Sequence, residues 1–348
     1  MPVAPAASAR MAGQMVAELE SRTGRAWDEQ LRRWPSANLL QSYGWGEVQA
    51  RAGWETHRLR VATAAGTLPV TALVGATGIP GTTRVYVPRG PVCGAGDGPA
   101  FAAAEAALVA LGRRYRALTL EVEAPWSAAE VGADHEFWSW QPAPARQPLA
   151  TVVVDLVPPA EQILGSFHAK TRYNVKLAER RGVLVRPGSL TDLIGCVRAT
   201  ETRQGIHLPS ERHLRTVSEV LGPAVRVLVA EVEGEVAAAV MLARWEEDVV
   251  YLYGGATGGH RQAMPNHLLH WRAMMQAREE GCTHYDLWGI PETDSPDHPW
   301  RGLAQFKLGF GGRRVVYAGC RRRDLRPAGG RLVGVMDRVR RRARRLSG

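Results

Sequence analysis

Lys307 stands in the segment GLAQFKLGFGG, directly after Phe306 and between glycines. A lysine ammonium held between glycine-rich turns approaches a substrate closely. It can stabilise the oxyanion that develops on a carbonyl under attack. Tyr251 and Tyr253 flank Leu252 in a β-type run, where alternation would put both rings on one face. Arg203 lies in the stretch TETRQG that closes a helical pattern. Lys170, Arg172 and Lys176 lie in FHAKTRYNVKLAERRGV. That stretch fits phosphate contacts along a basic helix or, with Leu177 and Tyr173 inward, a solvated helix face. No GxSxG elbow and no assignable Ser/His/Asp or Cys/His set accompanies these residues. Asp286, Glu292, Asp294, Asp297 and His298 are spread over a Pro-rich stretch without an i, i+4 pair, so no metal site is expected.

The elements that must position these groups follow from local pattern. A strand from Val249 to Tyr253 is released by Gly254–Gly259, and Pro265-Asn266 opens a helix with Leu268, Trp271, Met274 and Met275 on its apolar side. Gly281 is placed to end that helix in the left-handed conformation. Tyr285–Trp288 alternates as a strand and leads into an acidic Pro-rich loop and the Phe306-Lys307 segment. Upstream, the pattern predicts a helix from Ile163 to Arg181, helices at Thr191–Arg203 and Ser210–Leu221, and a hairpin of Val225–Glu233 with Glu235–Trp245. Gln141–Pro148 breaks regular structure repeatedly and marks a boundary between about 141 and 150. Before it come strands at Glu55–Val61, Thr67–Val74, Val85–Val87 and Leu118–Val122, and an Ala-rich helix at Ala102–Leu111. A weaker helical pattern carries Met11, Met15, Ala17 and Leu19.

At 348 residues and 45% hydrophobic content with eleven Trp, the chain is sized for two domains with sizeable cores. No run reaches the roughly 20 apolar residues that cross a bilayer, and no charged n-region precedes an apolar stretch. Cys93, Cys196, Cys282 and Cys320 are scattered without metal or disulfide spacing, as expected of reduced cytoplasmic thiols. The net charge of +10 is partly a tail effect, from Arg338, Arg340, Arg341, Arg342, Arg344 and Arg345. That run fits anionic lipid headgroups, RNA phosphates or a solvated end.

Several motifs together resemble the Fem family of peptidoglycan-bridge aminoacyltransferases. They are Leu40-Gln41-Ser42 with Trp45 and Gly53-Trp54, then YVPRGPV, YLYGGAT, MPNHLL, YDLWGIPE and GLAQFKLGFGG. The resemblance implies an α/β (α+β) fold of two tandem GNAT-like acyltransferase domains, and without sustained heptads between Arg181 and Val225 the coiled-coil arm of some members is not expected. Residues 1–147 would form the first domain and 148–312 the second, with a strand at about 313–325 returning to the first and an Arg-rich tail at 326–348. The implied reaction moves an amino acid from aminoacyl-tRNA to a stem-peptide amino group of a UDP- or lipid-linked muramyl-peptide precursor. It would run in the cytoplasm, with no cofactor, and with peripheral contact to the inner membrane surface as one option.

In the resemblance Lys307, after Phe306, falls at the reaction centre, Arg203 at a phosphate, and a tyrosine of the Tyr251/Tyr253 strand at the precursor. Glu123 matches an acidic position at an inter-domain cleft. Where many members carry a phosphate-contacting Lys four residues after the Trp, this chain has Gln49. Arg51 would substitute only if the stretch is extended. The acceptor's proton could go to His207, Glu123 or a substrate phosphate. Two other readings stay open. One is an acyl-CoA transferase of the same superfold, although Gly258–Asn266, with Ala263, Met264 and Pro265, departs from a glycine-rich phosphate loop. The other is a non-catalytic RNA- or membrane-binding protein acting through the tail.

Overall fold

The computed structural model describes residues 24–326, so the helical pattern at Met11–Leu19 and the Arg-rich tail lie outside the described residues. Two compact units divide the chain. One runs to Gln147 and resumes at Tyr317, and the other is Pro148–Val316.

In the first unit α1 (Gly24–Leu31) and α2 (Tyr43–Arg51) precede β1 (Glu55–Thr63), β2 (Gly66–Ala76) and β3 (Thr83–Pro88). Then come α3 (Gly98–Arg114), β4 (Ala117–Glu123) and the short β5 (Gln141–Ala143). Asp97 accepts a hydrogen bond from Ala100 N and so fixes the start of α3. Strand β1 alternates, with His57, Leu59 and Val61 buried, whereas β2 is buried along seven successive residues. A strand apolar on both sides must be covered on both faces.

The second unit runs β6 (Ala150–Asp155), α4 (Ala160–Ser166), α5 (Ala169–Arg180), β7 (Leu184–Pro187), α6 (Leu190–Gln204), α7 (Glu211–Leu221), β8 (Val225–Val232) and β9 (Glu235–Trp245). It continues through β10 (Asp248–Ala256), α8 (Pro265–Glu279), β11 (His284–Ile290), α9 (Arg301–Leu308) and β12 (Arg313–Val316). The chain then re-enters the first unit as β13 (Cys320–Asp324).

The six-stranded sheet has the order β1-β2-β3-β4-β13-β5 and the seven-stranded sheet β12-β6-β11-β10-β9-β8-β7. The two share one plan. Each has a three-strand antiparallel meander, β1–β3 or β8–β10, and then a helix, α3 or α8. Each then has a strand parallel to the last of the meander, β4 or β11, flanked by an antiparallel one, β13 or β6. In the second unit, residues of the meander alternate between two helical layers. Leu228, Ala230, Val240, Leu242 and Val249 share a core with Phe167 and with Leu269, Trp271 and Met274 of α8. Each large apolar side chain buried there contributes roughly 1.5–3 kcal/mol. The opposite face of β9 and β10 meets α6.

Four expectations change. The helix predicted from Ile163 to Arg181 is two, because the chain turns at Phe167-His168, where His168 N donates to Gly309 O at 2.8 Å. Tyr173 points outward, 56% exposed. The returning strand is Cys320–Asp324, paired with β4, whereas Arg313–Val316 still belongs to the second sheet through β6. The Phe306-Lys307 segment, read as lying between turns, is itself helical. Gly281 does adopt the left-handed conformation after α8, with φ of 83°.

Candidate functional site

Strands β10 and β11 pair only over Asp248–Val250 with His284–Asp286. Beyond that each bulges away. On β10 the register slips between Tyr251 and Tyr253, and on β11 between Asp286 and Gly289. Trp288, inside the second bulge, sits at φ of 61°, a strained position for a non-glycine residue, with its N–H donated to Asp286 Oδ1 at 2.7 Å. A cavity of about 280 Å³ opens where the strands part. Among its walls are Arg203, Tyr251, Tyr253, His270, Trp288 and Lys307.

Lys307 is brought there by its neighbours. Phe306 packs near-perpendicular to Phe310, one turn later, at 5.2 Å, and against His267 at 5.1 Å. Fully buried Phe310 in turn meets Phe167 at 5.2 Å. With α9 pinned by both rings, Lys307 is 4% exposed. Its Nζ donates to Gly289 O at 2.9 Å and lies 5.3 Å from the Tyr251 ring centre. Burial brings its pKa down to about 8, against the opposing pull of Asp286. One of the three ammonium donors is spent on Gly289, and the rest remain for an oxygen in the cavity.

The histidines are neutral for the same reason. Burial, then the Lys307 charge, holds His270 down to about 3, and burial takes His267 to about 4. His270 Nδ1 is 3.0 Å from the Tyr285 hydroxyl, and its ring meets Tyr251 edge-on at 4.7 Å. Burial also pushes the Tyr251 phenol up to about 12.

The β10 bulge overturns the expectation that Tyr251 and Tyr253 share a face. Tyr251 is opposite Leu242, on the α8 side, but Tyr253 is opposite Met241, on the other side. There its hydroxyl lies 2.7 Å from His213 Nε2 of α7. Gly255 makes room for the layer on that side, since a Cβ on it would stand 2.3 Å from Cys196 O of α6.

Arg203 lines the cavity, with Nη1 donating to Ala256 O at 2.7 Å, and its neighbour Arg261 adds a second positive charge. Other expected residues take structural work instead. Arg172 donates to Gly165 O and Phe167 O, closing the turn between α4 and α5. Lys170 and Lys176 are exposed on α5, outside the cavity wall. His207 is exposed and lies outside that wall too.

In the first unit Glu123 is 1% exposed and accepts from Arg146 N at 2.5 Å and Gln147 N at 3.0 Å. Burial nonetheless holds its carboxyl above the usual range. It ties down the chain where the first unit ends. Gln49 and Arg51 lie on helical α2, where a two-residue offset puts them on different faces, so Arg51 does not take over the Gln49 position. The strongest signals missed in the sequence are His213, His267 and His270, which only the fold brings to the tyrosines and Lys307.

The end of the loop from β10 to α8 has several backbone donors engaged. Ala263 N, Met264 N and His267 N already donate to His260 O, Arg261 O and Met264 O, and Pro265 has no N–H. Pro265 and these bonds interrupt the run of successive backbone N–H groups next to α8 that a pyrophosphate cradle would use.

Residues 25–141 match the model of the FemAB family and residues 165–307 that of the acetyltransferase (GNAT) domain. Over 162 residues the chain is 30% identical to the UDP-N-acetylmuramoylpentapeptide-lysine N(6)-alanyltransferase of Weissella viridescens, covering 43% of this chain and 46% of that protein. A stretch of 61 residues is 38% identical to the lipid II:glycine glycyltransferase of Staphylococcus saprophyticus, 18% of this chain and 15% of the other. The chain thus spans less than half the length of these curated relatives. The crystal structure of FemX shares the fold, with a TM-score of 0.81 at 17% identity over 90% of this chain and 99% of that one.

Proposed function

We propose that this chain, a relative of the Fem family built from two GNAT-like units, is an aminoacyltransferase that acylates an amino group of a peptidoglycan precursor. The observation that carries the reading is Lys307, a buried cation whose ammonium faces the cavity between the parted strands. An aminoacyl ester is already activated. Catalysis then needs two substrates held together, a proton acceptor for the amine and a donor for the tetrahedral oxyanion. Lys307 supplies the last of these.

Aminoacyl-tRNA is the donor in this proposal, and no further cofactor takes part. The relatives named above are alanyl and glycyl transferases, and Pro265, which has no N–H, interrupts the donor run that a coenzyme A pyrophosphate would use. The acceptor is a muramyl-peptide carried on a nucleotide or a lipid, with Arg203 and Arg261 available to its phosphates. Among the described residues no helix is long and apolar enough to cross a membrane. The proposed site of action is the cytoplasm, at or near the inner membrane surface, and four buried unpaired cysteines suit a reducing compartment.

The test supplies a pool of labelled aminoacyl-tRNAs with both precursor forms and reads the product by mass spectrometry. The reading expects one amino acid added to the stem peptide, and loss of that product with Lys307→Met. Transfer from an acyl-CoA, with none from any aminoacyl-tRNA, would overturn it.

A further inference from the structure

The reaction needs a group to take the acceptor's proton, and within the second unit His207 lies outside the cavity wall. His270 lines the cavity, but it is 1% exposed with Nδ1 on the Tyr285 hydroxyl, enclosed by Tyr251 and Phe306. Lys307 must keep its proton to hold an oxyanion. Tyr253 differs from each. It lines the cavity, yet the bulge on β10 turns it to the layer opposite Tyr251, where its hydroxyl meets His213 Nε2 at 2.7 Å. The imidazole is half-buried on α7, so a proton placed on it can leave to water.

We propose that Tyr253 and His213 form the proton path for the acceptor amine. The proposal rests on the aminoacyl-transfer reading. As the amine nitrogen bonds to the ester carbonyl carbon, its N–H proton passes to Tyr253 Oη while the phenol's own proton passes to His213 Nε2. The C–O bond to the ribose then breaks, and the leaving oxygen takes a proton back along the same path, so no proton or electron is left over. Tyr253 touches substrate and is the catalytic residue, and His213 acts through it.

The surroundings suit this direction of transfer. Burial lowers the His213 pKa below its ordinary value, so the ring is neutral near pH 7. On its own helix the acid Glu211 is engaged by Arg198 and Arg215. From β10, Tyr253 is the group that faces it, with a phenol that burial pushes upward. A neutral imidazole with its proton on Nδ1 accepts from the Tyr253 hydroxyl, which leaves the phenol oxygen lone pairs for the incoming N–H.

The experiment measures steady-state transfer by the full chain from pH ~5.5 to ~9 for wild type, Tyr253→Phe, His213→Gln and the double variant. Each single change should lower kcat by about 10²- to 10³-fold while KM moves less than about threefold, and the double variant should be no slower than the slower single one. Wild type should lose activity below the His213 pKa, and that acid limb should vanish in His213→Gln. Retention of the limb with kcat within about threefold of wild type, or losses that multiply in the double variant, would overturn the relay while leaving the transferase reading standing. Wild type inert towards every aminoacyl-tRNA overturns both. Tyr253→Phe removes one oxygen from a rim position, and its melting curve alongside the others separates a lost proton path from a lost fold.

Discussion

The two units carry the same parallel strand pair and treat it in opposite ways. In the first, after a register shift at Thr83, β3 and β4 stay zipped from Arg84/Thr119 to Pro88/Glu123. A buried ion cluster lies on this pair, where Glu121 accepts from Arg84 at 3.0 Å and from Arg146 at 2.9 Å. In the second, β10 and β11 part after three residue pairs, and the buried Lys307 ammonium lines the gap. One plan therefore yields a closed sheet with a directly paired ion cluster and an open one whose cation hydrogen-bonds a backbone carbonyl. The bulges, rather than the strand order, make the difference.

The sharpest way to break this contrast is to exchange stability against activity. Glu121→Ala removes the buried carboxylate that Arg84 and Arg146 share in the first core and should cost roughly 3–5 kcal/mol in urea unfolding, with activity per folded molecule retained. Full stability in that variant would remove the structural role assigned to the cluster. Lys307→Met should do the reverse. Transfer falls about 10²- to 10³-fold, yet melting stays the same or rises, because a charge that burial disfavours has been removed.

Acid tests the same contrast more gently. His270 and His267 bind a proton when unfolded below about 6.5 but not when folded until about 3 and 4. The unfolded state takes up more protons in that window, so stability is full above pH ~6.5 and falls as pH drops. At pH ~5 each histidine should cost on the order of 2 kcal/mol. Hydrogen exchange corrected for intrinsic rates should find α8 opening before α3, and the opposite order would contradict the pKa shifts.

The smallest effect concerns packing at the open pair. Gly255→Ala places a methyl against the α6 backbone and should cost about 1–3 kcal/mol. In the first unit, Gly94→Ala meets only Pro35 Cγ at 3.8 Å and should change denaturant midpoints by no more than about 0.5 kcal/mol. Equal costs would mean that the tight approach of α6 to β10 is not specific to the open sheet.

Much of this was legible before any coordinates, for identifiable reasons. Alternation and hairpin spacing locate β1, β2, β8, β9 and β10, because strand periodicity is a local property. Gly281 is readable as a helix end, since few other residues adopt its φ. Lys307 stands out in the sequence by its segment, but its burial does not, since that depends on Phe306 and Phe310 finding Phe167 across the unit. The bulge that separates Tyr251 from Tyr253 leaves no local mark, because it is a relation between strands. Arg172 looks like a free cation in the sequence, yet the turn before α5 needs its guanidinium for otherwise unpaired carbonyls. His213 was invisible for the same reason that it matters here, being 40 residues from its partner.

The placement of β13 has a consequence for synthesis of the chain. That strand lies between β4 and β5 in the first sheet, but it follows the whole of Pro148–Val316 in the sequence. On the ribosome, every residue of the second unit emerges before the strand that completes the first one. The N-terminal half must therefore wait with β4 and β5 unjoined, exposing edges that later pair with Cys320–Asp324. A chain cut after Val316 should release a finished second unit attached to an incomplete, aggregation-prone partner.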